Sequence, residues 1–351
     1  YADACVIVVN IAATSLVGSS PIEEPSKSLE LNVSKLTLTN FRSYKSLRLN
    51  LEPLSVVLIG PNGAGKTNLL EAVSLLAPGR GFRRAKLADL AYRDGFIESS
   101  PKNDWGVAVQ LASSSGFIDI GTGVEGGISA ESMQSESFSM SERRVLRING
   151  KKVRGTSALA GVVAIRWLTP AMDRMFTDSS SRRRRFLDHL TAGIEPSHAS
   201  RVSAYERTMR QRSKLLKESI RESRWISALE ETIAQLGTAI AAQRLDYISR
   251  LCDVISNLDT PNAKVRIKVS GDVEDWLEAE PALDVETRFR SALESNRERD
   301  AIVGGSSCGP HRSDLEIIHI RGMPASQCST GEQKSLLLTI FEADARLVAS
   351  L

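Results

Sequence analysis

Alternating apolar and polar residues in the first half of the chain predict antiparallel strands. Two alternating segments, LNVSKLTLTNF and SLRLNLE, flank a turn at NFRSYK and predict a hairpin. The same alternation recurs in three later segments, which are separated by Gly, Ser and Glu turns: WGVAVQLA, GFIDIGTG and RRVLRINGKKV. These segments predict an antiparallel β subdomain.

The second half of the chain carries a helical pattern instead. SSRRRRFLDHL begins one helix, and RVSAYERTMRQRSKLLKE continues as a basic helix. A further helix has apolar residues at steps of three and four: Leu229, Ile233, Leu236, Ile240, Ile248, Leu251, Ile255 and Leu258. Two long helices joined near Glu222–Trp225 indicate either an inserted helical arm or a helix pair packed in the core of a compact lobe. The pattern favours neither arrangement.

Within the first half, a glycine-rich loop interrupts the apolar pattern in LIGPNGAGKTNLLEAV. The β-branched run Val56–Ile59 predicts a parallel strand buried on both faces. After the loop, Leu69, Leu70, Val73 and Leu76 recur at helical spacing and predict a helix with one apolar side. A strand, a glycine loop and a helix in this order form a cradle for phosphate, because exposed N–H groups and the helix dipole favour an anion there.

The loop matches the pattern G-x-x-x-x-G-K-[ST] of a Walker A motif. Lys66 is predicted to reach the β- and γ-phosphates of ATP, and the Thr67 hydroxyl to ligate Mg²⁺. A chance match in an ordinary glycine turn is the alternative, which the flanking strand and helix disfavour. The predicted nucleotide-binding residues of the loop are Gly60, Pro61, Asn62, Gly63, Ala64, Gly65, Lys66, Thr67 and Asn68.

A second motif, STGEQK, lies near the end of the chain. Ser329 and Glu332 have the spacing of a capping box, so the simplest interpretation is a well-capped helix. The functional interpretation is an ABC-type signature, in which a helix N-terminus is presented to the γ-phosphate of ATP held by another subunit. The candidate signature residues are Ser329, Gly331, Glu332 and Gln333.

Charge is concentrated in one region, although the net charge of the 351-residue chain is only +3. The basic residues Arg182, Arg183, Arg184, Arg185, Arg210 and Arg212 have few acids between them. Such a band either is a solvated face or neutralises DNA phosphates without reading bases. No segment predicts a membrane span, and residues 1–30 are expected to form a tail outside the fold.

Several motifs in a shared order resemble the RecF family, bacterial recombination-mediator ATPases related to the SMC-type ATPases. The similarity extends from about residue 34 to the end of the chain. The motifs that carry it are LTLTNFRSY, GPNGAGKTNLLEAV, RWLTPAMDRMFTDSSSRRRRFLDHL, YERTMRQRSKLLKE, GPHRSDL and STGEQKSLL.

This resemblance implies an α/β fold, with a P-loop ABC-type ATPase lobe, an antiparallel β subdomain and an inserted helical arm lobe. The expected boundaries are a tail over 1–30, the first part of the ATPase lobe over 31–180, the arm lobe over 181–300 and the second part of the ATPase lobe over 301–351. Arg42 is implied to support the nucleotide, and the signature to act on the ATP of a partner copy.

The resemblance also implies a cytoplasmic DNA-binding protein of recombinational repair and replication restart. ATP and Mg²⁺ would drive homodimerisation on gapped or junction DNA, and RecR and RecO type mediators would help it to load recombinase. The family continues to a Walker B strand, whereas this chain stops at Leu351, so a nucleotide-binding module without hydrolysis is one alternative. A soluble ABC transporter ATPase subunit is another, disfavoured by the basic helices.

Overall fold

The protein divides into two compact units, Tyr1–Thr169 and Pro170–Ser350. The computed structural model describes residues 11–12, 31–52, 56–93, 104–113, 116–124, 143–169, 172, 174–218, 223–258 and 265–350. Within these residues, no helix combines the length and the apolar character that a membrane crossing requires. Each unit is described separately below.

The first unit contains a six-stranded sheet with the order β3-β2-β4-β5-β6-β7, and every pair in it is antiparallel. This confirms the antiparallel segments that the alternation predicted. The strands of the unit are β1 (Ile11–Ala12), β2 (Asn32–Phe41), β3 (Tyr44–Asn50), β4 (Trp105–Ser113), β5 (Gly116–Val124), β6 (Arg144–Ile148), β7 (Lys151–Val153) and β8 (Ala164–Ile165). One α-helix, α1 (Lys66–Ser74), follows the glycine-rich loop.

The hydrophobic core of this unit lies against one face of the sheet. Leu36 and Leu38 of β2 are buried at alternate positions, as are Val107 and Val109 of β4. At the end of β2, Phe41 makes an edge contact with the ring of Trp105, with 5.6 Å between the ring centroids. The alternation therefore reports directly which face of each strand meets the core.

The predicted buried strand before the glycine-rich loop is wrong. Residues 56–60 are irregular, and the side chains of Val57 and Ile59 are 78% and 92% exposed. A strand forms only where a neighbour completes its hydrogen-bond ladder, and no described strand pairs with this segment. The β-branched composition alone does not supply that neighbour.

Part of the predicted tail also belongs to the fold. Ile11 and Ala12 form the short strand β1, which pairs antiparallel with β8. The expectation that residues 1–30 lie outside the fold is therefore wrong for these two residues. The rest of 1–30 lies outside the described residues.

The second unit is mainly helical. Its helices are α2 (Ser180–Thr191), α3 (His198–Lys217), α4 (Ser223–Ser256), α5 (Asp272–Ala279), α6 (Ala282–Ser295), α7 (Arg297–Val303) and α8 (Thr330–Ala349). Two antiparallel strands, β9 (Val265–Ser270) and β10 (Asp314–His319), complete it. The predicted junction between α3 and α4 falls partly on residues 219–222, which lie outside the described residues.

Helices α3 and α4 pack within a shared core. Ile233 and Ile240 of α4 are buried together with Tyr205 of α3 and with Val285 and Phe289 of α6. The pair is therefore the core-packed one of the two arrangements that the pattern left open. The spacing of three and four in α4 reflects burial against several neighbours in this unit.

The segment 309–315, which contains the GPHRSDL motif, lies among the helices of the second unit. Its residues bond to four helices, mostly through side chains. The bonded pairs are Pro310 with Arg244 of α4 (2.6 Å), His311 with Tyr205 of α3 (2.8 Å), Ser313 with Arg184 of α2 (2.6 Å) and Glu274 of α5 (2.7 Å), and Asp314 with Arg183 of α2 (2.6 Å). This one short segment, which ends in the first residues of β10, thus connects α2, α3, α4 and α5.

Candidate functional site

The glycine-rich loop 60–65 leads directly into α1. Gly63 and Gly65 adopt φ angles of 86° and 91°, a left-handed conformation that favours glycine. At Gly65 a Cβ atom would lie 2.6 Å from the Oη of Tyr44 and 2.8 Å from the Oγ of Ser43. Glycine is therefore required at this position both by the backbone and by the close approach of the β2–β3 turn.

The ammonium group of Lys66 lies across the loop that precedes it. Its Nζ donates hydrogen bonds to the carbonyl oxygens of Gly60, at 2.7 Å, and Pro61, at 2.9 Å. Thr67 is half-buried beside it in the first turn of α1. A cation, a hydroxyl and a helix N-terminus thus stand together, which is the arrangement that can bind a nucleotide phosphate and its metal ion.

Behind the loop, α1 is held by a buried carboxylate. Glu71 is 1% exposed and accepts hydrogen bonds from the Nε of Arg42 at 3.0 Å and from its Nη2 at 2.7 Å. Arg83 bonds to the same carboxylate at 3.0 Å and to the Oδ1 of Asn68 at 3.0 Å. Sequence reasoning missed Glu71 and Arg83, since neither belongs to the motif.

These contacts fix Arg42 against α1. Its Nη1 also donates to the carbonyl oxygen of Asp89, at 2.7 Å, and its backbone φ angle is 52°. The guanidinium group therefore positions the helix that follows the loop. Direct support of a nucleotide by Arg42 stays a prediction.

The STGEQK motif forms the N-terminus of α8 in the second unit. The Oγ of Ser329 accepts from the backbone N–H of Glu332 at 3.3 Å, and the Ser329 N–H donates to the Oε2 of Glu332 at 2.9 Å. This is the predicted capping box, with both of its hydrogen bonds formed. The hydrogen bonds from the backbone N–H and hydroxyl of Ser329 lower the pKa of Glu332 below its ordinary value.

The signature residues differ in what they present to solvent. Ser329 and Gly331 are exposed, and the position that a Cβ atom would take on Gly331 is in open space. Gln333 is buried, and its amide donates to the carbonyl oxygen of Cys328 at 3.0 Å. Action of these residues on the ATP of a partner copy stays a prediction. In it, Gln333 would hold the backbone before Ser329 in place through its bond to Cys328.

The predicted DNA-binding arginines separate into two groups. Arg182, Arg185 and Arg210 are exposed to solvent. By contrast, the guanidinium of Arg183 pairs with Asp314, and Arg184 donates to the carbonyl oxygen of Ser313. The exposed group can meet an extended polyanion, although Arg182 also pairs with Asp178 at 2.7 Å. DNA contact by this group stays a prediction.

Arg212 is the arginine for which the DNA-binding prediction is wrong. Its side chain is 0% exposed and bonds to Glu230 at 2.9 Å, to Asp300 at 2.7 Å and to the Leu293 carbonyl oxygen at 2.7 Å. Arg212 and the two buried carboxylates neutralise one another at the junction of α3 with α4, α6 and α7. The arginine is therefore needed inside the fold. The sequence could not indicate this buried role of Arg212, because a run of basic residues shows charge and not burial.

Comparison with known proteins places this geometry in context. The family model described as RecF/RecN/SMC N terminal domain matches residues 32–165. "DNA replication and repair protein RecF" of Mesorhizobium japonicum is 45% identical over 327 residues, which cover 92% of this chain and 81% of the relative. The protein of the same name from Rhizobium rhizogenes is 41% identical over 322 residues, covering 91% and 81%.

Solved structures show the same fold. The recombination mediator protein RecF-ATPrS in the RecFOR pathway superposes with a TM-score of 0.73 at 20% identity, covering 91% of this chain and 81% of that one. The corresponding RecF-ATP structure gives a TM-score of 0.72 at 23% identity, covering 90% and 80%. The fold class predicted from the sequence is confirmed.

Proposed function

Because the chain belongs to the RecF family of DNA replication and repair proteins, we propose that it binds MgATP and uses it to assemble on DNA. The alternative of a transporter ATPase subunit finds no support in these relatives. The proposal has three parts, which are nucleotide binding in the first unit, dimerisation through the signature, and DNA contact by exposed basic residues.

The geometry of the glycine-rich loop is the observation that carries the proposal. Gly63 and Gly65 turn the loop through left-handed conformations that favour glycine, and Lys66 is the cation at the start of α1. The two RecF structures that share this fold are described as complexes with ATP and with ATPrS. Gly60 to Thr67 would cradle the phosphates here, with Lys66 at the β- and γ-phosphates and Thr67 on Mg²⁺.

Dimerisation would use the exposed N-terminus of α8. Ser329 and Gly331 are small and exposed, so the phosphate of a nucleotide held by a second copy could approach the helix N-terminus closely. ATP would then be enclosed between two copies of the chain. This arrangement makes assembly depend on nucleotide and leaves each monomer able to bind ATP alone.

The DNA substrate would be gapped or junction DNA in the cytoplasm. Exposed Arg182, Arg185 and Arg210 offer charge to the phosphate backbone without base-reading chemistry. RecR and RecO type mediators would join the ATP-bound dimer there and help to load recombinase. The RecFOR pathway named for the structural relatives supports this assignment.

Fluorescence anisotropy with a gapped duplex tests the proposal. Wild-type protein is expected to bind the duplex more tightly with MgATP than without it, and Lys66→Ala is expected to lose this difference. Lys151→Ala is the matched control, because Lys151 is exposed on β7. Equal DNA affinity with and without MgATP in the wild-type protein would contradict an ATP-dependent function.

A further inference from the structure

An open groove runs along α3 in the second unit, opposite the segment 304–312. Its cavity has a volume of about 500 Å³. One wall is the C-terminal half of α3, with Arg210, Lys214 and Lys217. The other wall contains Gly304, Gly305 and Arg312.

The lining of this groove is strongly basic. Arg210, Lys214 and Lys217 recur at i, i+4 and i+7, so they lie on one face of α3 and span about 10 Å along its axis. Arg312 adds a fourth cation from the opposite wall, while Glu218 is the single acid among the lining residues that the structure describes. Four cations against one carboxylate leave a net positive trough.

A second cavity, of about 280 Å³, continues the groove beyond Arg312. Arg312 and Gly305 belong to the linings of both cavities, and Arg299 adds a further cation. The acid in this lining is Asp300, which is buried and paired with Arg212. We call the two joined cavities, lined by Arg210, Lys214, Lys217, Arg299 and Arg312, the basic groove.

The cations of the basic groove are poorly neutralised within the protein. Arg210 and Lys214 have acidic partners only at 3.8 Å, on Glu206 and Glu218, and all four side chains are largely exposed. Such surface pairs contribute little and yield readily to a stronger anion. Among the residues that the structure describes, no carboxylate forms an ion pair with Lys217 or Arg312.

The wall that carries Arg312 is held in place by hydrogen bonds. The Nε of Arg312 donates to the carbonyl oxygen of Ser306 at 3.0 Å, which leaves the rest of its guanidinium available. His311 contacts the same oxygen at 3.0 Å through Nε2 and reaches Tyr205 through Nδ1. These hydrogen bonds fix the wall that carries Arg312, and the cations of both walls line the same groove.

We propose that the basic groove is a track for the sugar–phosphate backbone of DNA. This inference rests on the proposed DNA-binding function and assigns DNA contact to the residues that line the basic groove. Among the described lining residues there is no Phe, Tyr or Trp, so the groove offers charge to phosphates and no platform for stacked bases. It extends the candidate contacts from the basic run of α2 and α3 to Arg299 and Arg312, which lie outside that run.

Gly305 supplies a sharp test, because it lines both cavities and has open space around it. No atom lies within 4 Å of the position that a Cβ would take, and its φ angle is outside the strained left-handed range. In the full-length protein, Gly305→Glu is expected to weaken binding of a gapped duplex about tenfold at low salt, since it places a carboxylate among the phosphates. Gly305→Gln, of equal size and without charge, is the matched control and is expected to bind nearly as tightly as wild type.

A second pair of variants measures the released counterions. Lys214→Gln with Lys217→Gln is expected to reduce the slope of log affinity against log salt by roughly 2 on duplex DNA. Arg266→Gln with Arg290→Gln removes two exposed charges that line neither cavity, and its slope is expected to match that of wild type. The same titrations with a single-stranded oligonucleotide distinguish a single-strand track from a duplex one.

The outcomes separate the two hypotheses. If wild-type protein binds no DNA under any nucleotide condition, the proposed function fails. If wild type binds DNA but Gly305→Glu and the double lysine variant bind as tightly, with unchanged salt slopes, the groove is not the track and this inference is overturned. Polyglutamate, an acidic polypeptide, tests a protein partner instead of DNA. If these variants lose polyglutamate binding but keep wild-type DNA affinity, the DNA-track inference is overturned as well.

Discussion

The Nζ of Lys66 lies 2.7 Å from the carbonyl oxygen of Gly60, the first residue of the loop that precedes Lys66. The ammonium group of Lys66 donates a second hydrogen bond to the carbonyl oxygen of Pro61. Both of its acceptors are therefore backbone oxygens of the loop. A nucleotide phosphate would replace these neutral acceptors with a charged one. Charge-assisted hydrogen bonds are roughly twice as strong as neutral ones, so the exchange favours the phosphate.

Lys66→Ala is expected to weaken MgATP binding at least tenfold, about 1.4 kcal/mol, because the substitution removes the charge partner of the phosphates. A titration with a fluorescent ATP analogue measures the affinity directly. Lys151→Ala, on the exposed strand β7, is expected to bind like wild type. Equal affinity of Lys66→Ala and wild type would refute the assignment of the loop.

Thr67→Ala is expected to lower affinity for MgATP about tenfold, about 1.4 kcal/mol, and affinity for ATP in EDTA much less. The reason is that the Thr67 hydroxyl is predicted to serve the metal and not the phosphate chain. Thr67→Ser retains the hydroxyl and is expected to restore binding. An equal loss with and without Mg²⁺ would show that Thr67 has no metal-specific role.

Arg212→Met is expected to destabilise the second unit by about 3–5 kcal/mol, because it leaves two buried carboxylates without their cation. Urea unfolding followed by circular dichroism gives the free energy of unfolding. Arg210→Met, two residues earlier and exposed on the same helix, is expected to change that free energy by less than about 0.5 kcal/mol. A similarly small effect for both variants would contradict the buried network.

Ser329→Arg is expected to leave monomer affinity for ATP intact and to block ATP-induced dimerisation, since a bulky cation would replace a small residue at the helix N-terminus. Analytical ultracentrifugation with a non-hydrolysable ATP analogue measures the dimer. Ser329→Ala separates this effect from the loss of the cap, which costs about 1 kcal/mol of helix stability. Dimers of normal strength in Ser329→Arg would rule out the signature role.

Glu332 is expected to make α8 sensitive to acid. Because the folded state lowers the pKa of Glu332 below its ordinary value of 4.5, its ionised form stabilises the fold above that value. The contribution is lost as the pH falls through the lowered folded-state pKa. The stability difference between wild type and Glu332→Gln in urea unfolding should therefore stay constant from pH 7 down to the ordinary pKa of 4.5 and shrink as the pH falls below it. A difference that stays constant below this value would contradict the linkage.

Features that depend on neighbours in sequence could be predicted without a structure. The capping box needs only Ser329 and Glu332 three residues apart, and the hairpin needs only alternating residues around its turn. The Walker A loop is equally local, since its glycines and Lys66 follow one another along the chain.

Features that depend on distant partners could not be predicted in the same way. Val57 and Ile59 have strand composition, but a ladder requires a neighbour that composition does not specify. Arg212 belongs to a basic run, yet its two carboxylates come from Glu230 and Asp300, far along the chain. Burial of a charge is decided by such tertiary contacts.

The segment 309–315 has a consequence for how the helical unit opens. Pro310, His311, Ser313 and Asp314 bond to helices α2 to α5, so none of these helices can detach without breaking bonds to the same short stretch. Segments tied in this way unfold as one cooperative block, with a shared free energy for exposing their amides to hydrogen exchange. The four helices should thus lose protection together, while helix ends that make no such bonds fray on their own.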